Sequence, residues 1–247
     1  MAPPKAISAA FVAILCLCSQ ALATKEFDYY SLVLMWPASF CFHSSAGCCL
    51  PTTGKPALDF FVTGLQTRNS TTGEVVTKCK QSNFNVNALA DLIDDLYAYW
   101  STIKCPSTNA LPNWKNSWKT SGVCSGLSEH DYFKTALELR KKLNLLSIFK
   151  KNGIVPSGEN FYNVEYIKKV IKKTLGVSVA IECNKNMWDE SQFDQIYICF
   201  DKDASTIISC PSVKASTCAK EVTFGLFTYD MLVNTGAESQ TIRTYTS

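Results

Sequence analysis

The chain has 247 residues, with Lys+Arg 24 against Asp+Glu 21, a formal net charge of +3, 47% hydrophobic residues and 18% charged. Those values exclude a disordered or collagenous chain and give no strong electrostatic reason to expect a polyanion-binding protein. The length suits one large domain with a substantial core. Twelve cysteines and two histidines are the unusual counts. Any mechanism that needs a histidine pair is limited to His43 and His130.

Lys5 precedes an apolar run from Ala6 to Leu17, and Ala21-Leu22-Ala23 supplies a small-x-small pattern. Residues 1–23 therefore read as a signal peptide, with an apolar run too short for the ~20 residues that a spanning helix needs. No later segment is long and apolar enough to span, so no membrane contact is expected after removal. Cys16 and Cys18 leave with the leader and ten cysteines remain. An even number entering an oxidising compartment reads as five disulfides, although counting leaves roughly 945 pairings open. Zinc is the weaker reading, because no C-x₂-C pair is present and histidine is almost absent.

Phe27 to Trp36 reads as a strand ended by Pro37, followed by a loop through Cys41 to Lys55. Leu58 to Leu65 reads as a second, largely buried strand. Residues 66–83 are polar and loop-like, and Asn69-Ser70-Thr71 is an N-glycosylation sequon, expected to be occupied. Three apolar periodicities predict helices: Ala88 to Trp100, Asp131 to Phe149, and Val164 to Leu175, the last capped at Gly176. Lys168, Lys169, Lys172 and Lys173 lie on the other side of that third helix. They read as a solvated face, with a phosphate-binding patch as the alternative. Val177 to Glu182, Gln195 to Phe200, Thr206 to Ser209 and Glu221 to Phe227 read as strands. The pattern is α+β, helices segregated from strands, with residues 228–247 a polar tail, flexible or a sorting extension.

The common catalytic and metal patterns are missing. Asp201-x-Asp203-x-Ser205 opens like a calcium loop, but Thr206 and Ser212 stand where Gly and the closing Glu are needed. A turn is the simpler reading. Asp94 and Asp95 are adjacent on a helix and point apart, as surface charges do. His43 and His130 have no nucleophile nearby in sequence, and a structural or surface role suits each. No cofactor or metal is expected.

Several stretches resemble one family. Trp36-Pro-Ala-Ser-Phe-Cys41, Cys48-Cys49-Leu-Pro-Thr-Thr-Gly-Lys-Pro56, Ala57-Leu-Asp-Phe60, His130-Asp-Tyr-Phe133, Leu145-Leu-Ser-Ile148 and Ile196-Tyr-Ile-Cys199 are similar to the plant S-like ribonucleases of the ribonuclease T2 family. The similarity runs from about Phe27 to Phe224. It implies an α+β fold with a strongly bent antiparallel sheet, in a domain covering residues 24–227. It also implies the pairs Cys41–Cys48, Cys49–Cys105, Cys79–Cys124, Cys183–Cys218 and Cys199–Cys210.

The family cleaves RNA by transphosphorylation through a 2′,3′-cyclic phosphate, using two segments. Where the first reads Phe-x-Ile-His-Gly-Leu-Trp-Pro, this chain has Phe60-Phe61-Val62-Thr63-Gly64-Leu65-Gln66-Thr67, so Thr63 replaces the catalytic histidine. The second, Phe-Trp-x-His-Glu-Trp-x-Lys-His-Gly-Thr-Cys, is Asn113-Trp114-Lys115-Asn116-Ser117-Trp118-Lys119-Thr120-Ser121-Gly122-Val123-Cys124. Asn116 and Ser121 replace two histidines, Ser117 the glutamate and Thr120 the lysine. None of these side chains titrates near neutral pH. A positioned acid or base contributes ~10²–10⁴ in rate, so losing two suggests ~10⁴–10⁸ if the effects multiply. Leu34-Met35 and Asn113 stand where the resemblance places base-contacting Gln residues and a stacking Phe.

The expectation is a degenerate active site and no enzyme: a catalytically inactive homologue serving as a vegetative storage protein, secretory and either vacuolar or extracellular. RNA binding is expected to be weak or absent, with no obligate partner. The alternatives are a ribonuclease with residual activity through the substituted residues, rescue by Lys115 and Lys119 included, and a defence or recognition protein acting on a protein partner.

Overall fold

A computed structural model of the chain describes residues 26–77, 79–80, 82–211 and 216–234. The expected signal peptide and the tail from residue 235 onward lie outside the described residues.

Strand β1 (Tyr29–Met35) is buried along nearly its whole length, and β3 (Phe61–Arg68) and β6 (Ser191–Phe200) pair with its two edges. A strand covered on both faces has no solvent side to alternate with, which is why its sequence is apolar on both faces with only Ser31 interrupting it. The seven-stranded sheet runs β3, β1, β6, β8 (Glu221–Thr223), β4 (Phe161–Asn163), with β5 (Ala180–Lys185) and β7 (Ile207–Ile208) also paired to β6. Its pairings are antiparallel except one, β6 beside β8 through Gln192 and Thr223. The sheet is thus mixed rather than purely antiparallel, within the expected α+β architecture.

Trp36, Phe60, Phe149, Phe193 and Phe224 form the centre of the core, with ring centroids 4.6–6.1 Å apart in tilted and edge-on contacts, except Phe60 and Phe224, which stack. The edge-on contacts of Phe149 and Phe193 place ring edges against neighbouring faces, an arrangement the aromatic quadrupole favours.

Helices depart from the sequence reading at specific residues. Pro37 begins helix α1 (Pro37–His43) rather than ending a strand into a loop, since proline at the first helical position sacrifices only an N–H that would be unpaired anyway. The Ala88 to Trp100 pattern is a 3-10 segment, Val86–Leu92, running into α2 (Ile93–Tyr99). Asp94 and Asp95 lie exposed in the first turn of α2, where they complement the helix dipole. Asn144 adopts φ 42°, a left-handed conformation that breaks the expected Asp131 to Phe149 helix into α4 (Glu129–Leu143) and α5 (Leu145–Lys151). Helix α6 (Val164–Leu175) ends at Gly176, φ 79°, as its sequence indicates. Helix α3 (Leu111–Thr120) has no counterpart in the sequence reading.

Five disulfides join Cys41 to Cys48, Cys49 to Cys105, Cys79 to Cys124, Cys183 to Cys218 and Cys199 to Cys210. The first residues of the expected polar tail are structured. Tyr229–Met231 form a 3-10 turn, and β9 (Leu232–Val233) pairs in parallel with β2 (Cys48–Cys49). Burial of Leu232 and a Tyr229 hydroxyl bond to the Pro56 carbonyl at 3.0 Å hold this segment against the domain.

Candidate active site

A cleft of about 410 Å³ opens between β3, α3 and the end of α2. Strand β3 contributes Val62, Thr63, Gly64 and Gln66; α3 and its cap contribute Asn113, Asn116, Ser117, Thr120 and Ser121; Trp100, Ser101, Val75 and Thr77 complete the wall. All five sequence-predicted positions, Thr63, Asn116, Ser117, Thr120 and Ser121, therefore converge on one cavity, although Thr63 lies on a different element and far from the other four in chain order.

 Lys115 and Lys119 are themselves exposed on α3 and do not line the wall, so neither brings its charge into the cleft.

The backbone explains why these side chains meet. In the β1–β3 pairing Gly64 stands opposite Val33 and Val62 opposite Leu34, which leaves Thr63 as the extra residue of a β-bulge. A bulge turns its residue out of the regular alternation and aims it to one side. Thr63 is exposed, and its hydroxyl donates to the Val33 carbonyl at 3.3 Å. On α3, Trp114, Ser117 and Trp118 are buried and fix the helix against the core, so Asn113 and Asn116 face outward. The Ser117 hydroxyl lies 2.8 Å from the Tyr132 hydroxyl, which donates to the Leu65 carbonyl at 2.7 Å. Tyr132 has one proton to give, so Ser117 is the donor in their bond. Burial pushes the Tyr132 phenol well above its ordinary range.

Thr120 donates to the Asn116 carbonyl at 2.8 Å, and Ser121 is buried. Arg68 holds the Gln66 side-chain carbonyl through two bonds of 3.0 and 2.6 Å, which leaves the Gln66 NH₂ to donate elsewhere. No lining residue carries an acid or base that titrates near neutral pH. The cleft can donate hydrogen bonds to phosphate oxygens, but it holds no imidazole and no ammonium group.

Both histidines lie elsewhere. His43, at the end of α1, meets the Lys185 carbonyl at 2.7 Å. His130, in the first turn of α4, sits 3.0 Å from Asp91 and 3.3 Å from Asp131, and these carboxylates raise its pKa. Leu34 is buried in β1 with Met35 beside it, and Asn113 is on the cleft wall. The Asp201–Asp203 segment forms a turn between β6 and β7, with Asp203 accepting from the Ser205 and Thr206 amides at 2.6 and 3.2 Å. Among the described residues no group of three or more His, Cys, Asp or Glu side chains converges as metal ligands would. Asn69 occupies the turn after β3, its side-chain oxygen accepting from the Thr71 and Thr72 amides.

Sequence reasoning missed α3 as a helix, although it found the residues on it through a motif. The signal was present: Pro112 in the first turn, then Trp114, Ser117 and Trp118 at helical spacing on the buried side.

The model of the Ribonuclease T2 family matches residues 27–210. "Ribonuclease 3" of Arabidopsis thaliana is 38% identical over 82% of this chain and 91% of its own length. "Ribonuclease-like storage protein" of Panax ginseng is 30% identical, covering 76% of each. The crystal structure of RNase NT in complex with 5′-AMP superposes with a TM-score of 0.77 at 36% identity, over 82% of this chain and 100% of that one. These relatives overturn the expectation that the chain is no enzyme: its similar proteins include named ribonucleases and a nucleotide-bound RNase. The physical reason is that losing titrating groups lowers a rate and changes its pH dependence. Positioning and hydrogen bonding in a preformed cleft still contribute when acid–base groups are removed.

Proposed function

Because the chain belongs to the ribonuclease T2 family, we propose that it is an S-like ribonuclease homologue with residual RNA-cleaving activity through the substituted cleft residues. The observation that carries this reading is the convergence of Thr63, Asn116 and Ser121 on one preformed cleft. Asn113, Asn116 and the Gln66 amide donate to phosphate oxygens and hold the backbone for attack by the 2′-hydroxyl. With no imidazole in the wall, the 2′-hydroxyl proton leaves to water or hydroxide, and the leaving 5′-oxygen takes its proton from water. The missing ammonium leaves charge on the phosphorane to be offset by neutral donors alone, which slows the step further. The triple variant T63H/N116H/S121H tests this: it should cleave RNA at least ~10²-fold faster than the parent, the contribution of one positioned acid or base. Equal rates would remove the cleft from the account.

Storage is the second reading, favoured by five disulfides around a closed aromatic core, which resist unfolding and proteolysis. Entry into the secretory pathway, towards vacuole or extracellular space, goes with it. Protein abundance measured across tissues and seasons tests the role; a scarce protein of constant level contradicts it. Asn69 is proposed as the glycan attachment site, its exposed Ser70 and Thr71 neighbours leaving the turn accessible. Peptide-N-glycosidase treatment of protein from a eukaryotic secretory host should lower its mass, and an unchanged mass rules the glycan out.

A further inference from the structure

Helix α6 buries Val164, Ile167, Val170 and Ile171, and this turns Lys168, Lys169, Lys172 and Lys173 to its other side. Those four lysines do not simply face open solvent. Together with Glu165, Ser178 and Val179 they line a groove of about 510 Å³ between α6 and the chain leading into β5. We propose that this groove binds a compact polyphosphate anion.

The charge arrangement has a cost that a merely solvated face would not need. Lys168 and Lys172, and Lys169 and Lys173, are like-charge pairs at i, i+4, which repel on a helix surface. Of these four lysines only Lys168 has an ion-pair partner among the described residues, Glu165 at 2.8 Å. Lys172 and Lys173 also complement the carbonyl end of the helix, where cations are favoured. That role covers two of the four lysines and leaves Lys169 unexplained.

The ligand class follows from shape and lining. The volume falls within the ~300–1,000 Å³ typical of small-molecule sites. Lys168 to Lys173 span roughly 7.5 Å of helix at 1.5 Å per residue, room for a few clustered phosphates rather than a long strand. No aromatic side chain lines the groove, whereas single-stranded nucleic acid sites stack bases on rings. Its one apolar residue, Val179, is buried and offers nothing to insert into a lipid surface. The site is also separate from the cleft. Strand β3, which carries Thr63, is at one edge of the sheet, and β4, from which α6 continues, is at the other.

The test is calorimetric titration of the whole mature protein with inorganic tripolyphosphate. We expect saturable binding of one anion per chain, weakened at least tenfold in K169E/K173E. The variant K115E/K119E makes the same change in net charge on α3 and should bind as the parent does. The milder K169Q/K173Q, with thermal unfolding measured alongside, separates lost binding from lost folding and should also weaken it. Absence of saturable binding, or equal weakening in both charge-reversed variants, overturns the proposal. So does binding to poly(U) or to phosphoinositide vesicles that tripolyphosphate fails to displace. None of these outcomes depends on RNA cleavage in the cleft.

Discussion

Thr63 donates to the Val33 carbonyl at 3.3 Å while standing opposite no residue of β1. The bulge that frees Thr63 from the strand register is what aims it into the cleft, so the position is built by the backbone and tolerates a change of side chain. T63H should therefore fold normally. Its unfolding free energy should lie within ~0.5 kcal/mol of the parent, the usual range for exposed sites away from special features. Chemical denaturation checks this, and a loss of several kcal/mol would show that the bulge depends on the threonine.

Ser117 and Tyr132 make the opposite case, because their bond is buried and ties α3 and α4 to β3 through Leu65. S117A removes one donor and leaves the Tyr132–Leu65 bond in place, a loss of ~0.5–1.5 kcal/mol. Y132F strands both the Ser117 hydroxyl and the Leu65 carbonyl, and should cost more, ~1–3 kcal/mol. Denaturant midpoints of the two variants give the order directly. S117E, restoring the acidic side chain that the family carries there, should be less stable than S117A, since it places a carboxylate in a site only 8% exposed.

Gly122 closes the turn after α3, and a methyl group there would overlap the six-membered ring of Trp118. Trp118 is buried and cannot swing away cheaply. G122A should cost ~1–3 kcal/mol through overpacking and disturb the Ser121 end of the cleft. Denaturation together with Trp fluorescence reports both effects; an unshifted midpoint would mean that the ring yields.

His130 should titrate above the ordinary imidazole value of about 6.5, held up by its bonds to Asp91 and then Asp131. A raised folded-state value means that the stabilisation is fully present below the unfolded-state pKa. It is lost as pH rises through the higher, folded-state pKa. The imidazole signal followed by NMR across pH should show the upward shift, and D91N should reduce it. A titration at or below the ordinary value would contradict the geometry.

Much of the architecture was legible because burial writes periodicity into sequence. The β1 run and the α6 stripe are both read from apolar spacing and both correspond to elements of the fold. The Asn144 break was less legible, since a single left-handed residue leaves the apolar period of the two helices almost unchanged. Helix α3 was hidden by its composition, because only one face is buried, a serine stands on that face, and Asn and Lys fill the other. The site residues emerged from a family motif rather than from chemistry, for Thr, Asn and Ser side chains carry no catalytic signature of their own. The Thr63 bulge is a product of strand pairing and has no local mark. The inference from missing histidines to no enzyme went too far, because it equated the loss of proton-transfer groups with the loss of the cleft.

The most direct test of the central claim is the initial rate of RNA cleavage by the purified protein, measured from acid to mildly alkaline pH. The account predicts slow, measurable cleavage that climbs steadily with hydroxide and shows no inflection near the imidazole range. A bell-shaped profile with turnover matching an active relative would contradict it, as would no cleavage above the uncatalysed rate at any pH.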